Sequence, residues 1–169
     1  MDPLKSRSQI DAFLAQTRQN QLRLTHITDN KAHILIVISA VTLNLAVMQL
    51  RSDSFRVAAV MLTLQSLLTI VFASLSIMPA RNAARAPSAP IRSSFAADLA
   101  ANPYEAYLQQ MRHVLQSEDA TYEIQLREIY DGASILMNRK LKYLRWAFVT
   151  FLAGTTLTTL VAIAESVRG

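Results

Sequence analysis

The sequence predicts an all-α integral membrane protein, with three transmembrane helices and a small cytoplasmic helical bundle. Residues 32–50, 57–78 and 146–164 carry no charged side chain. Nineteen helical residues span roughly 28 Å, close to the hydrocarbon thickness of a bilayer. Half of the chain is hydrophobic (51%), and only 17% is charged, against about 25% in soluble domains. Three such runs in 169 residues leave too little polar chain to bury them in water.

Basic residues orient the spans. Lys5, Arg7, Arg18, Arg23 and Lys31 precede the first run, and nine more lie from Arg81 to Arg145. Only Arg51 and Arg56 separate the first two runs, and only Arg168 follows the last. Lys and Arg in short loops stay on the cytoplasmic side during insertion. The expected order is a cytoplasmic N-terminal helix (1–31), a transmembrane hairpin (32–50 and 57–78) and a cytoplasmic linker with helices (79–145). A third span (146–164) and a short external tail (165–169) complete it. The expected location is a membrane, with the N-terminus cytoplasmic. Insertion accounts for the net charge of +5, and no phosphate-neutralising stripe points to nucleic acid. The first run is long and begins late, which suits a retained anchor rather than a cleaved signal.

Each element has a local reason. Ile10, Phe13, Thr17, Leu24 and Ile27 fall at helical spacing on one face, and no proline or glycine separates them from the first span. That face is expected to pack on other cytoplasmic helices, with contact between copies as the alternative. Arg51 to Ser54 read as a tight external turn. Pro79, Pro87 and Pro90 mark a linker. Pro103 suits the first position of a new helix. Ser117, before Glu118 and Asp119, reads as a fresh N-cap. A long helix then follows, with Tyr122, Leu126, Ile129, Ala133, Leu136, Leu141 and Leu144 on its apolar face. Gly132 is a possible kink.

The chemistry available is limited. No cysteine is present, and three glycines cannot build a phosphate loop. No nucleophile, base and orienting group occur together, so the chain is expected not to be an enzyme and to need no cofactor. The spans hold no Asp, Glu, Lys or Arg, which argues against a coupled transporter. Asn44 and Gln65 lie at similar depth and are expected to hydrogen-bond, with polar groups lining a pore as the alternative. Gly154 and Thr158 form a small-xxx-small pair that permits close helix approach, and are the expected oligomerisation face. His26, Asp29 and His33 share a helix face with metal-ligand spacing, but such a face is more often a polar rim. No metal is expected. Glu123, Arg127 and Asp131 form an i,i+4 ladder, either a solvated stripe or, with Tyr130, part of an anion and base pocket. Arg139, Lys140, Lys142 and Arg145 anchor the third span at the interface and suit anionic lipid.

The run from Thr17 to Ala32, with Asp29, Lys31 and Ala32 at the head of the first span, resembles the membrane-approach region of the transmembrane effectors of Pycsar antiphage systems. Glu123 to Tyr130, Gly132, Lys140 to Trp146 and Gly154 continue the resemblance. It implies a membrane effector that answers a cyclic pyrimidine nucleotide, cyclic UMP or cyclic CMP, made by a partner pyrimidine nucleotide cyclase. It also implies impaired membrane integrity and abortive infection; the Gly154/Thr158 face adds the expectation of a homo-oligomer. A cyclic monophosphate needs cationic donors and a flat surface for its base, and the candidates are Arg23, Asp29, Lys31, Arg127 and Tyr130. The rival reading is a ligand-free structural or accessory membrane protein.

Overall fold

The computed structural model describes residues 3–50, 55–78 and 103–168. They are helical, with no strand among them. The order is α1 (Pro3–Gln49), α2 (Arg56–Ile77), α3 (Tyr104–Leu115), α4 (Glu118–Ile135), a π-helical turn (Leu136–Lys140) and α5 (Leu141–Arg168). The expected turn at 51–54 and the linker prolines Pro79, Pro87 and Pro90 lie outside the described residues. Two compact units divide the chain. One contains residues 1–23 and 79–135, and the other contains 24–78 and 136–169.

The first unit pairs the start of α1 with α3 and α4. Pro103 is the N-cap of α3, with extended backbone (φ −59°, ψ 147°), one position earlier than the sequence suggests. The chain breaks after α3 at Ser117, whose Oγ accepts the Ala120 N–H at 3.4 Å. A serine at this position satisfies a backbone donor that the first helical turn leaves unpaired. Thr121 Oγ1 donates back to the Val114 carbonyl at 3.0 Å, tying the two helices across the break.

In this unit α1 and α4 run parallel and meet through polar groups. The Tyr122 hydroxyl donates to Asp11 at 2.9 Å. Arg18 donates to Glu128 at 3.0 Å, and Gln21 Nε2 to the Ile129 carbonyl at 2.6 Å. The buried side of α1 is therefore Leu14 and its neighbours at heptad spacing. Ile10 and Phe13, expected inside, are exposed. The greasiest stripe is not the packed one, because hydrogen-bond partners on α4 select the other face.

The second unit is a three-helix arrangement in which α2 and α5 are antiparallel. Among the described residues, three helices are long and apolar enough to cross a membrane: Ser8–Gln49, Arg56–Ile77 and Asp119–Val167. The buried residues of the second unit are mostly small or polar: Thr28, Ala32, Leu35, Ser39 and Ala46 on α1, and Ala59, Ser66, Thr69, Ala73 and Ser76 on α2. On α5 they are Leu144, Ala147 and Thr158. Their spacing averages 3.5 residues, the repeat of left-handed helix bundles. Large side chains such as Val37, Val41, Leu64, Val71, Leu152 and Leu160 point outward. Lipid tails are as apolar as leucine, so close backbone approach drives packing, and small residues occupy the seam.

Candidate functional site

Three polar joints fix the second unit. At one end Lys140 Nζ reaches both oxygens of Asp29, at 2.7 and 2.8 Å. The pair is partly buried, with Lys140 16% and Asp29 28% exposed. The π-helical turn that ends at Lys140 widens the helix locally, as single π turns do. Ser76 Oγ donates to the Lys140 carbonyl at 2.9 Å. Helix α4 passes Gly132 unbroken, so the irregularity in the long helix is this π turn and not a glycine kink.

Midway, Gln65 Nε2 donates to Thr155 Oγ1 at 3.3 Å, and that hydroxyl donates to the Phe151 carbonyl at 2.6 Å. The expected Asn44–Gln65 bond is not formed. Asn44 is exposed and donates to the Ala40 carbonyl of its own helix at 3.1 Å. Asn44 faces away from the seam. Gly154 packs on Gln65, where a Cβ would overlap that side chain and lie 2.8 Å from Gln65 Cβ. Thr158 is buried. Both residues expected between copies thus serve packing within the chain.

At the other end Glu165 accepts the Val57 and Ala58 N–H groups at 3.2 and 3.3 Å. Helix α2 has no side-chain cap of its own at Phe55. The carboxylate of α5 fills that role and meets the positive end of the α2 dipole.

The candidate nucleotide residues are distributed over both units. Arg23, Arg127 and Tyr130 belong to the first unit and are exposed. Tyr130 is 73% accessible, and Arg127 lies three residues before it on the same helical face. Lys31 and Asp29 belong to the second unit. Lys31 is exposed, whereas Asp29 is held by Lys140. His26, Asp29, Asn30 and His33 line one shallow concavity. No group of three His, Cys, Asp or Glu side chains is placed to hold a metal among the described residues. Met137, Leu141, Lys142, Arg145, Trp146 and Val149 line another, with basic and apolar walls.

Sequence reasoning missed Glu128. Its side chain is only 6% exposed and is held by Arg18, which is 49% exposed. Glu128 sits one position off the charge ladder, so nothing in the pattern separates it from solvated neighbours. It also missed Ser76 and Glu165, whose partners lie 64 residues away or more.

Fold and joints together define a three-span helical membrane protein with a polar helical unit of its own. A family model described as the Pycsar effector protein domain matches residues 12–165. The chain belongs to this family and is a membrane effector of Pycsar antiphage defence. No curated protein and no solved structure matches it.

Proposed function

We propose that a cyclic pyrimidine nucleotide, cyclic UMP or cyclic CMP, activates this chain to impair membrane integrity, so that the infected cell dies before the phage matures. The carrying observation is the extent of the family match, which takes in both the polar unit and all three spans. The protein acts without catalysis, as a homo-oligomer, in the bacterial inner membrane with its N-terminus cytoplasmic. A pyrimidine nucleotide cyclase supplies its signal. Helix α1 belongs to both units and is unbroken from Pro3 to Gln49. A ligand that reorients its polar half acts on the first span through continuous helix. The ligand shifts the equilibrium only as far as its affinity differs between resting and open states.

Arg127 and Arg23 supply charge for the phosphate and Tyr130 a ring for the base, while Lys31 is a separate cationic candidate in the second unit. Asp29 contributes through its grip on Lys140. The test measures binding of cyclic UMP and cyclic CMP to the detergent-purified protein, and leakage from liposomes that contain it. Arg127→Ala is expected to insert normally and lose the response. A variant that still responds at wild-type nucleotide concentrations places the pocket elsewhere. Failure of the unaltered protein to bind either nucleotide favours a ligand-free membrane protein. A reporter after Gly169 is expected to be periplasmic and one near Ser88 cytoplasmic.

A further inference from the structure

Most hydroxyls on the spans are satisfied within their own helix. Thr28, Thr42, Thr63, Thr69 and Thr159 each donate to the carbonyl four residues earlier, at 2.8 Å. Four buried polar atoms are different. Ser39 Oγ, Ser66 Oγ, Thr158 Oγ1 and Gln65 Oε1 have no hydrogen-bond partner among the described residues. Ser39 and Ser66 are wholly inaccessible, and Gln65 and Thr158 are at least nine-tenths buried. All four belong to the second unit. Each is a polar group whose burial without a partner is unfavourable.

Ser39, Ser66 and Gln65 also form a layer, with Thr158 about one helical turn nearer the hairpin end. Ser39 stands eleven residues before Leu50, and Ser66 eleven residues after Phe55. That places both about 16 Å from the hairpin end, near the middle of the hydrocarbon. Gln65 meets α5 at Thr155, so the same depth on α5 is near Gly154. Between this layer and the Asp29–Lys140 pair, every helix contributes apolar residues to the seam. Ala32, Leu35, Ala73, Leu144 and Ala147 form one buried cluster there. Read along each helix, the order is the same: charged or polar joint, apolar cluster, unpaired polar layer.

We propose that this seam is the path by which the effector opens the membrane, with the unpaired layer as a water-binding chamber and the Leu35–Leu144 cluster as its hydrophobic gate. Narrow apolar constrictions close to ions by dewetting and open when they widen or become polar. The chamber is lined by hydroxyls and an amide and carries no charge, so it takes water and small ions of either sign. The proposal rests on the membrane-opening function above and names the residues that perform it.

The chain has no cysteine, so single thiols report without background. A water-soluble methanethiosulfonate reacts with the thiolate, which forms only where water reaches the sulfur. In liposomes, Ser39→Cys and Ser66→Cys are expected to label about tenfold faster than the outward-facing Val37→Cys and Leu67→Cys once Leu35→Ser opens the gate, and to stay slow while it is closed. Leu35→Ser, or Leu144→Ser should the first fold poorly, is expected to release trapped potassium without a trigger. Leu45→Ser, on the outward face, is expected not to. Seam cysteines that label no faster than the outward ones in the Leu35→Ser background overturn the proposal. If cyclic UMP or cyclic CMP opens liposomes while the seam stays unlabelled, the seam is wrong and the nucleotide function stands. If the seam labels and Leu35→Ser leaks while neither nucleotide has an effect, the path stands and the trigger is wrong.

Discussion

Asp29 takes hydrogen bonds on both carboxylate oxygens from the single ammonium of Lys140, 111 residues away in sequence. The ammonium belongs to the residue whose carbonyl accepts from Ser76, so one residue ties all three helices of the second unit. Hydrogen bonds to charged groups contribute roughly 1.5–3 kcal/mol each when shielded from water. Asp29→Ala and Lys140→Ala are therefore each expected to cost about 2 kcal/mol, read as a lower melting temperature in detergent. Lys142→Ala, an exposed neighbour, is the control. Equal melting temperatures for all three would show that the pair adds nothing.

The start of α2 depends on a residue from the far end of α5. Removing the Glu165 carboxylate leaves the Val57 and Ala58 amides without a protein acceptor. Losing a helix cap costs about 1 kcal/mol. Glu165→Ala is expected to speed hydrogen exchange at these two amides by roughly fivefold, since 1.4 kcal/mol is tenfold. Amides in the middle of α2 are expected to be unaffected. Protection at Val57 unchanged from the parent chain would mean that solvent or lipid headgroups cap the helix equally well.

Gly154 has a backbone role that follows from contact distance. A methyl group there overlaps Gln65, and overpacking of this kind costs about 1–3 kcal/mol. Gly154→Ala is expected to destabilise the second unit, while Ala153→Leu on the exposed side leaves it unchanged. Crosslinking between copies separates this from the expected oligomer role. If Gly154→Ala abolishes crosslinks while leaving the melting temperature intact, the glycine acts between chains after all.

The spans were legible because charge is so costly in hydrocarbon that its absence marks them directly. The Ser117 break was legible because capping is local. The seam was not. In water, an apolar stripe predicts the buried face, and that rule put Ile10, Phe13, Leu24 and Ile27 inside. The packed face instead holds Leu14, Gln21 and Thr28, because hydrogen bonds and close approach decide it. The same inversion misdirected Asn44. The π turn has no sequence signature at all, and it moves the buried face to Leu136 and Leu144 while leaving Leu141 exposed. Of the candidate site, residue types were readable, but the engagement of Asp29 by Lys140 required the fold.

The Arg18–Glu128 pair gives the first unit a test of its own. One end is buried and the other half-exposed, so the two partners are not equivalent. Arg18→Ala takes the guanidinium from a carboxylate that stays buried, while Glu128→Ala leaves an arginine that water can solvate. A double-mutant cycle is expected to give a coupling energy of about 1 kcal/mol, with Arg18→Ala the more costly single change. Because Glu128 is shielded, the coupling is expected to persist at 0.5 M salt, roughly, where exposed pairs are largely screened. The measurement is chemical denaturation followed by the near-ultraviolet signal of Tyr122, whose hydroxyl donates to Asp11 between the same two helices. A coupling near zero, or one that vanishes with salt, would mean that α1 and α4 are held by the remaining contacts, with the Gln21 bond to the Ile129 carbonyl foremost.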